Sequence, residues 1–187
     1  EHHDVNAVCV GHPRAYETPK VVDTAAARAQ LEIDAAEVVT VMPGSRRSEI
    51  ERLGSVFAEA AKLIRDARPG VRFVTPIASK ALRPMIEQQL RDAGVSDDFM
   101  LLDGQSQVAL TAADVAMQAS GTAVLEAALL RKPTVAAYRV APLSWFIGRG
   151  LRLVKGEDST LCCCCLQPLA EHPVFRDRKR VPIRQWQ

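Results

Sequence analysis

The sequence predicts an α/β fold, a Rossmann-like parallel sheet with helices on both faces. Apolar runs of strand length alternate with segments of helical period along most of the chain, which is the pattern of successive βα units. Most of the runs are apolar at consecutive positions, as strands covered on both faces require. Proline and glycine punctuate the joints between the two kinds of segment.

In chain order the expected strands are Val5–Val10, Val38–Met42, Val71–Thr75, Phe99–Leu102, Val115–Ala119 and Thr134–Tyr138. Helices are expected near Thr24–Leu31, Ser48–Ala67, Lys80–Ala93, Gln107–Ala112 and Ala123–Leu130. Arg68-Pro69-Gly70 closes the second helix, Ala93-Gly94 the third, and Lys132-Pro133 precedes the last strand, each a helix-stop signal with a backbone cause. Right-handed crossovers should join the strands. No fixed-period repeat is visible, and no linker interrupts the body before about Gly156.

With 187 residues the chain can bury a sizeable core. Its 48% apolar and 25% charged content is that of a globular protein. No apolar run approaches the roughly 18 to 20 residues of a membrane-spanning helix. The chain begins at Glu1 with no basic segment followed by an apolar one, so no secretory signal is expected, a truncated start is, and cytoplasmic residence follows. Residues 1–150 carry 17 basic and 18 acidic side chains, and residues 151–187 carry 7 and 4. A near-neutral body with few aromatics offers no footprint for nucleic acid, which is not expected as a partner.

The stretch VMPGSRRSEIERL, residues 41–53, passes from a strand through one glycine into a helix. A helix start of this kind offers unpaired amides and the positive end of the helix dipole to an anion. Gly44 permits close backbone approach, Ser45 adds a hydroxyl, and Arg46 offers a planar fork for phosphate oxygens. The second glycine and lysine of a Walker loop are absent, as are the three glycines of the dinucleotide fingerprint. The purely structural account has Ser48 as N-cap with Glu51 in the capping-box position, and the two accounts are compatible.

A second strand-to-helix turn follows Val115–Ala119, with Ser120, Gly121 and Thr122 leading into a helix that carries Glu126. Turns at the carboxyl ends of parallel strands are where open α/β sheets bind ligands. Two adjacent turns could hold one nucleotide, with Glu126 accepting from ribose hydroxyls; alternatively Glu126 is an ordinary solvated helix residue. Arg139 ends the last strand at the same sheet edge and is either a further anion contact or a surface residue.

The segments MPGSRRSEI, LLDG and ASGTAVLEAALLRKPTVAAYR, in that order and spacing, resemble the lipid-A-disaccharide synthase family of bacterial inner-membrane glycosyltransferases, and Val10-Gly11-His12-Pro13 extends the match over about residues 1–155. The resemblance implies a GT-B fold in which residues 1–155 form the carboxy-terminal, UDP-sugar-binding domain and the amino-terminal acceptor domain is missing. It implies transfer of 2,3-diacylglucosamine from UDP-diacylglucosamine to diacylglucosamine 1-phosphate with release of UDP, without a metal ion or other cofactor. On this reading Gly44, Ser45 and Arg46 serve the diphosphate, Ser120, Gly121 and Thr122 the phosphate or neighbouring sugar, Glu126 the ribose, and Arg139 is a weaker UDP-binding candidate. No catalytic base is assigned. His12, beside Gly-Pro, reads as a turn residue.

The stretch Leu143–Lys155 sets apolar residues beside Arg149, Arg152 and Lys155, which suits either a membrane surface or burial against a partner domain. Membership of the family implies a peripheral position on the cytoplasmic face of the inner membrane. From about Gly156 the pattern breaks. Residues 156–187 are read as an atypical tail, disordered or the product of a frameshift, in which the consecutive Cys162–Cys165 match no standard zinc spacing. Where the family shows a Thr-Leu-Pro-Asn-Leu-like motif, this chain has Thr160-Leu161 and then four cysteines. Two alternatives stay open, a non-catalytic nucleotide-sugar-binding module and a UDP-sugar 2-epimerase-like enzyme.

Overall fold

The computed structural model describes residues 13–18 and 21–139, together with the backbone of 160–162. The expected strand Val5–Val10 and the basic stretch Leu143–Lys155 lie outside the described residues. Within them the chain runs α1 Pro13–Glu17, α2 Thr24–Gln30, β1 Val38–Met42, α3 Arg47–Ala67, β2 Arg72–Ile77, α4 Arg83–Ala93, β3 Phe99–Asp103, α5 Ser106–Ala112, β4 Val115–Ala119, α6 Thr122–Leu129, β5 Thr134–Arg139 and β6 Thr160–Cys162. The strands form one sheet in the order β3-β2-β1-β4-β5-β6. The pairs from β3 through β5 are parallel, and β6 adds an antiparallel edge in which Tyr138 faces Leu161. The Rossmann-like α/β expectation holds. The segment read as an atypical tail thus contributes three residues of backbone to the sheet.

Helices cover both faces. Leu53, Phe57 and Ala61 of α3 pack on Val41, Phe73 and Met117. On the opposite face Ala27 of α2 and Ala109 and Ala112 of α5 meet Val38 and Val74, while Ala127 of α6 packs with Ala116. Because β-strand side chains alternate, this division explains why Val38, Val41, Phe73, Val74 and Ala116 are all buried. Phe73 stacks on Phe99 with ring centroids 4.8 Å apart. The buried Thr40 hydroxyl donates to the Ala109 carbonyl at 2.7 Å, as a polar group inside a core must.

Two boundaries differ from the sequence reading for local reasons. The expected helix Lys80–Ala93 is a 3-10 turn over Lys80–Leu82 followed by α4. Pro84 has no amide to give and sits at the first turn of the α-helix, where none is needed. Helix α3 begins at Arg47, one residue before Ser48, so Ser48 is inside the helix and is not its cap. At the foot of the sheet Asp114 accepts from the Val38 amide at 2.8 Å and from Arg28 at 2.7 Å, tying β1 to the start of β4.

Candidate functional site

The strand order reverses direction between β1 and β4, and ligands of open α/β sheets bind outside the strand carboxyl ends at such a point. In the register Met42 lies beside Gln118, so the two turns singled out in the sequence emerge next to each other at the same end of the sheet. Arg46 immediately precedes one of the two helices that leave this end, and Glu126 lies on the other.

The first turn is built around Gly44, whose φ of +132° is a conformation L side chains rarely adopt. A Cβ there would lie 2.5 Å from Glu49 Cβ and 2.6 Å from Glu49 Oε2. The glycine is required by the approach of a carboxylate. Glu49 Oε2 accepts from the Ser45 amide at 2.9 Å and the Arg46 amide at 3.2 Å, and Oε1 accepts from Arg46 Nη1 at 3.0 Å.

The capping arrangement therefore differs from the one expected. Arg46 occupies the N-cap position with extended backbone and contributes no acceptor, and Glu49, three residues on, supplies the carboxylate. Glu51 instead takes Arg47 Nε at 2.9 Å. Two amides and one guanidinium arm of this first turn, among the donors assigned to phosphate in the sequence, are thus already taken by an internal anion.

At the second turn the Ser120 amide donates to the Ala137 carbonyl at 2.8 Å. Gly121, in extended conformation, precedes α6, which has no side-chain cap. Glu126 is neither a solvated helix residue nor empty-handed. Its carboxylate is largely buried and lies 3.2 Å from Arg14 Nη1 of α1. Arg139 reaches from β5 across to α3, where Nη1 donates to the Arg52 carbonyl at 3.3 Å.

A pocket of about 150 Å³ opens between the turns, lined on one side by the N-cap Arg46 and by Ser48, Glu49, Arg52 and Leu53 of α3, and on the other by Ala119 of β4, Ser120 just beyond it, and Tyr138 and Arg139 of β5. Of the residues expected at the site, Arg46, Ser120 and Arg139 line it; Gly44, Ser45, Gly121, Thr122 and Glu126 do not. Glu49 and Arg52 were missed. The signal for them was present, since positions 46, 49, 52 and 53 fall on one face at the start of a helix. Among the described residues no three His, Cys, Asp or Glu side chains converge as metal ligands would.

A family model described as lipid-A-disaccharide synthetase matches residues 1–157. The chain belongs to this family. A lipid-A-disaccharide synthase of Pseudomonas putida (strain W619) is 48% identical over 152 residues, covering 81% of this chain and 40% of the relative. Another, from Pseudomonas savastanoi pv. phaseolicola, is 50% identical over 169 residues, covering 90% of this chain and 43% of that protein. The chain thus spans about two fifths of the length of these lipid-A-disaccharide synthases.

Among solved structures, the C-terminal domain of a glycosyl transferase group 1 family protein from Francisella tularensis is similar with a TM-score of 0.51 and 18% identity. The match covers 67% of this chain and 70% of that domain. At that identity the likeness concerns the fold, and it is the fold of a GT-B carboxy-terminal domain.

Proposed function

We propose that this chain forms the UDP-sugar-binding half of a lipid-A-disaccharide synthase. The complete enzyme transfers 2,3-diacylglucosamine from UDP-diacylglucosamine to diacylglucosamine 1-phosphate, and its acceptor-binding half is the partner of this domain. One observation carries the reading: the β1–β4 register sets both polar turns, each opening a helix, beside one arginine-lined pocket at the switch point.

Departure of UDP requires that charge developing on the diphosphate be stabilised, and oriented amides with guanidinium groups do this without reorganising. On this reading Gly44, Ser45, Arg46, Ser120, Gly121 and Thr122 face the diphosphate and sugar, Arg139 contributes charge and Glu126 binds ribose. Since Glu49 already takes two amides and one arm of Arg46, an incoming diphosphate either displaces that carboxylate or lies beside it. Residues 1–155 constitute the domain on this reading, and Leu143–Lys155 docks it on the cytoplasmic face of the inner membrane.

Calorimetric titration of the 187-residue chain with UDP and ADP tests the nucleotide reading. Weak binding of UDP in preference to ADP is expected, with no disaccharide formed until a separately expressed amino-terminal half is added. Absence of any UDP preference refutes the reading. Flotation with anionic liposomes addresses the membrane contact, which is rejected if the chain stays at the bottom of the gradient.

A further inference from the structure

Arg52 lies on the pocket wall three residues after Glu49 on the same side of α3, whose N-cap is Arg46. It is partly buried. Its carbonyl is used by Arg139, whereas its guanidinium meets no carboxylate and no carbonyl among the described residues. The other arginines near this turn are committed: Arg46 to Glu49 and Arg47 to Glu51. A guanidinium on a pocket wall with no carboxylate beside it attracts an anion that enters the pocket.

The surroundings match such an anion. Among the described residues the pocket is lined by Arg46, Arg52 and Arg139 with Glu49 as the one carboxylate, and by Ser48 on the α3 side and Ser120 on the sheet side. The backbone seat at Ser45 and Arg46 is filled by Glu49, so the positive charge left to recruit a ligand is on side chains.

We propose that Arg52 is a phosphate-binding residue, and that this pocket is a phosphate subsite distinct from the amide seat held by Glu49. The nucleotide-sugar reading above enters only in naming the two sources of that phosphate, the diphosphate of the donor and the 1-phosphate of the acceptor sugar. Both present the same chemistry to a guanidinium fork.

The test is calorimetric titration of the 187-residue chain at low salt with inorganic phosphate, UDP and glucosamine 1-phosphate. Wild type is compared with Arg52→Gln, Arg52→Lys and, as a control outside the pocket, Arg47→Gln. Loss of one charge-assisted fork contact should weaken binding about tenfold in Arg52→Gln. Arg52→Lys should fall between that variant and wild type, because lysine keeps the charge and loses the fork. Arg47→Gln should bind as wild type does.

A loss confined to UDP assigns the subsite to the donor, and one confined to glucosamine 1-phosphate assigns it to the acceptor; either supports the proposal. Equal binding by wild type and Arg52→Gln overturns it while leaving the UDP reading intact. Inorganic phosphate bound in an Arg52-dependent way by a chain that ignores UDP upholds the subsite and removes the nucleotide. Binding of none of the three probes, or equal losses in Arg47→Gln and Arg52→Gln, rejects the subsite. Coincident melting curves for the variants exclude misfolding as the source of any loss.

Discussion

Gly44→Ala is the most informative single substitution, because the structure separates its two costs. An alanine at φ +132° is strained by about 1–3 kcal/mol. Its Cβ would also sit 2.5 Å from Glu49 Cβ, so the glutamate must withdraw and the amides of Ser45 and Arg46 lose their acceptor. Loss of a cap of this kind costs about 1 kcal/mol. The total is about 3 kcal/mol, equivalent in a chain of this size to a fall in Tm of roughly 6–12 °C.

Gly94→Ala supplies the comparison. Gly94 has φ +70° at the end of α4, and an added Cβ there meets nothing within 4 Å. Only left-handed strain remains, about 1–2 kcal/mol. Thermal and urea unfolding of both variants should therefore place Gly44→Ala below Gly94→Ala by about 1–2 kcal/mol. If the two are equally stable, the contact between Gly44 and Glu49 is not what demands the glycine.

Acidification should expose the ion pair at the end of β3. Arg83 Nη2 donates to Asp103 at 2.8 Å, and this hydrogen bond holds the Asp103 carboxyl below the ordinary carboxylate range. The folded state then binds fewer protons than the unfolded one, so the contribution is fully present above the unfolded value near 4 and is lost as pH falls through the folded value. Melting curves of wild type and Asp103→Asn should be separated at pH 6 and converge in acid; a constant separation from pH 6 to pH 2.5 contradicts this. Phe73→Ala removes a fully buried ring stacked on Phe99 and should cost about 3–5 kcal/mol in urea unfolding, with Phe73→Leu losing clearly less. Thr40→Val leaves the Ala109 carbonyl without its donor and should cost about 1 kcal/mol or more.

The sheet was legible because each strand announces itself locally. Val38–Met42 and Val115–Ala119 are strand-length apolar runs flanked by turn residues, and the structure returns both with the same bounds. That these two strands are neighbours depends on a crossover spanning more than seventy residues, for which no local signal exists; in the sequence the adjacency of the two turns is a supposition. The site was less legible than the fold. Ser48 and Glu51 satisfy the residue preferences of a capping box, yet the helix starts earlier, and the reciprocal half of the box formed by Glu49 prevails. Contacts between residues distant in sequence were out of reach, such as Arg139 on the Arg52 carbonyl and Arg14 against Glu126. They depend on where side chains arrive after folding.

Helix α3 spans 21 residues, about 31 Å at 1.5 Å per residue, and only its first two turns border the pocket. The remainder is wedged between the sheet and α4 through Phe57, Ala58 and Ala61. Gln89 of α4 reinforces the near end by donating to the Ile50 carbonyl at 3.0 Å. A guest at this corner consequently meets a wall set in place by burial elsewhere, and little chain entropy has to be surrendered when it arrives.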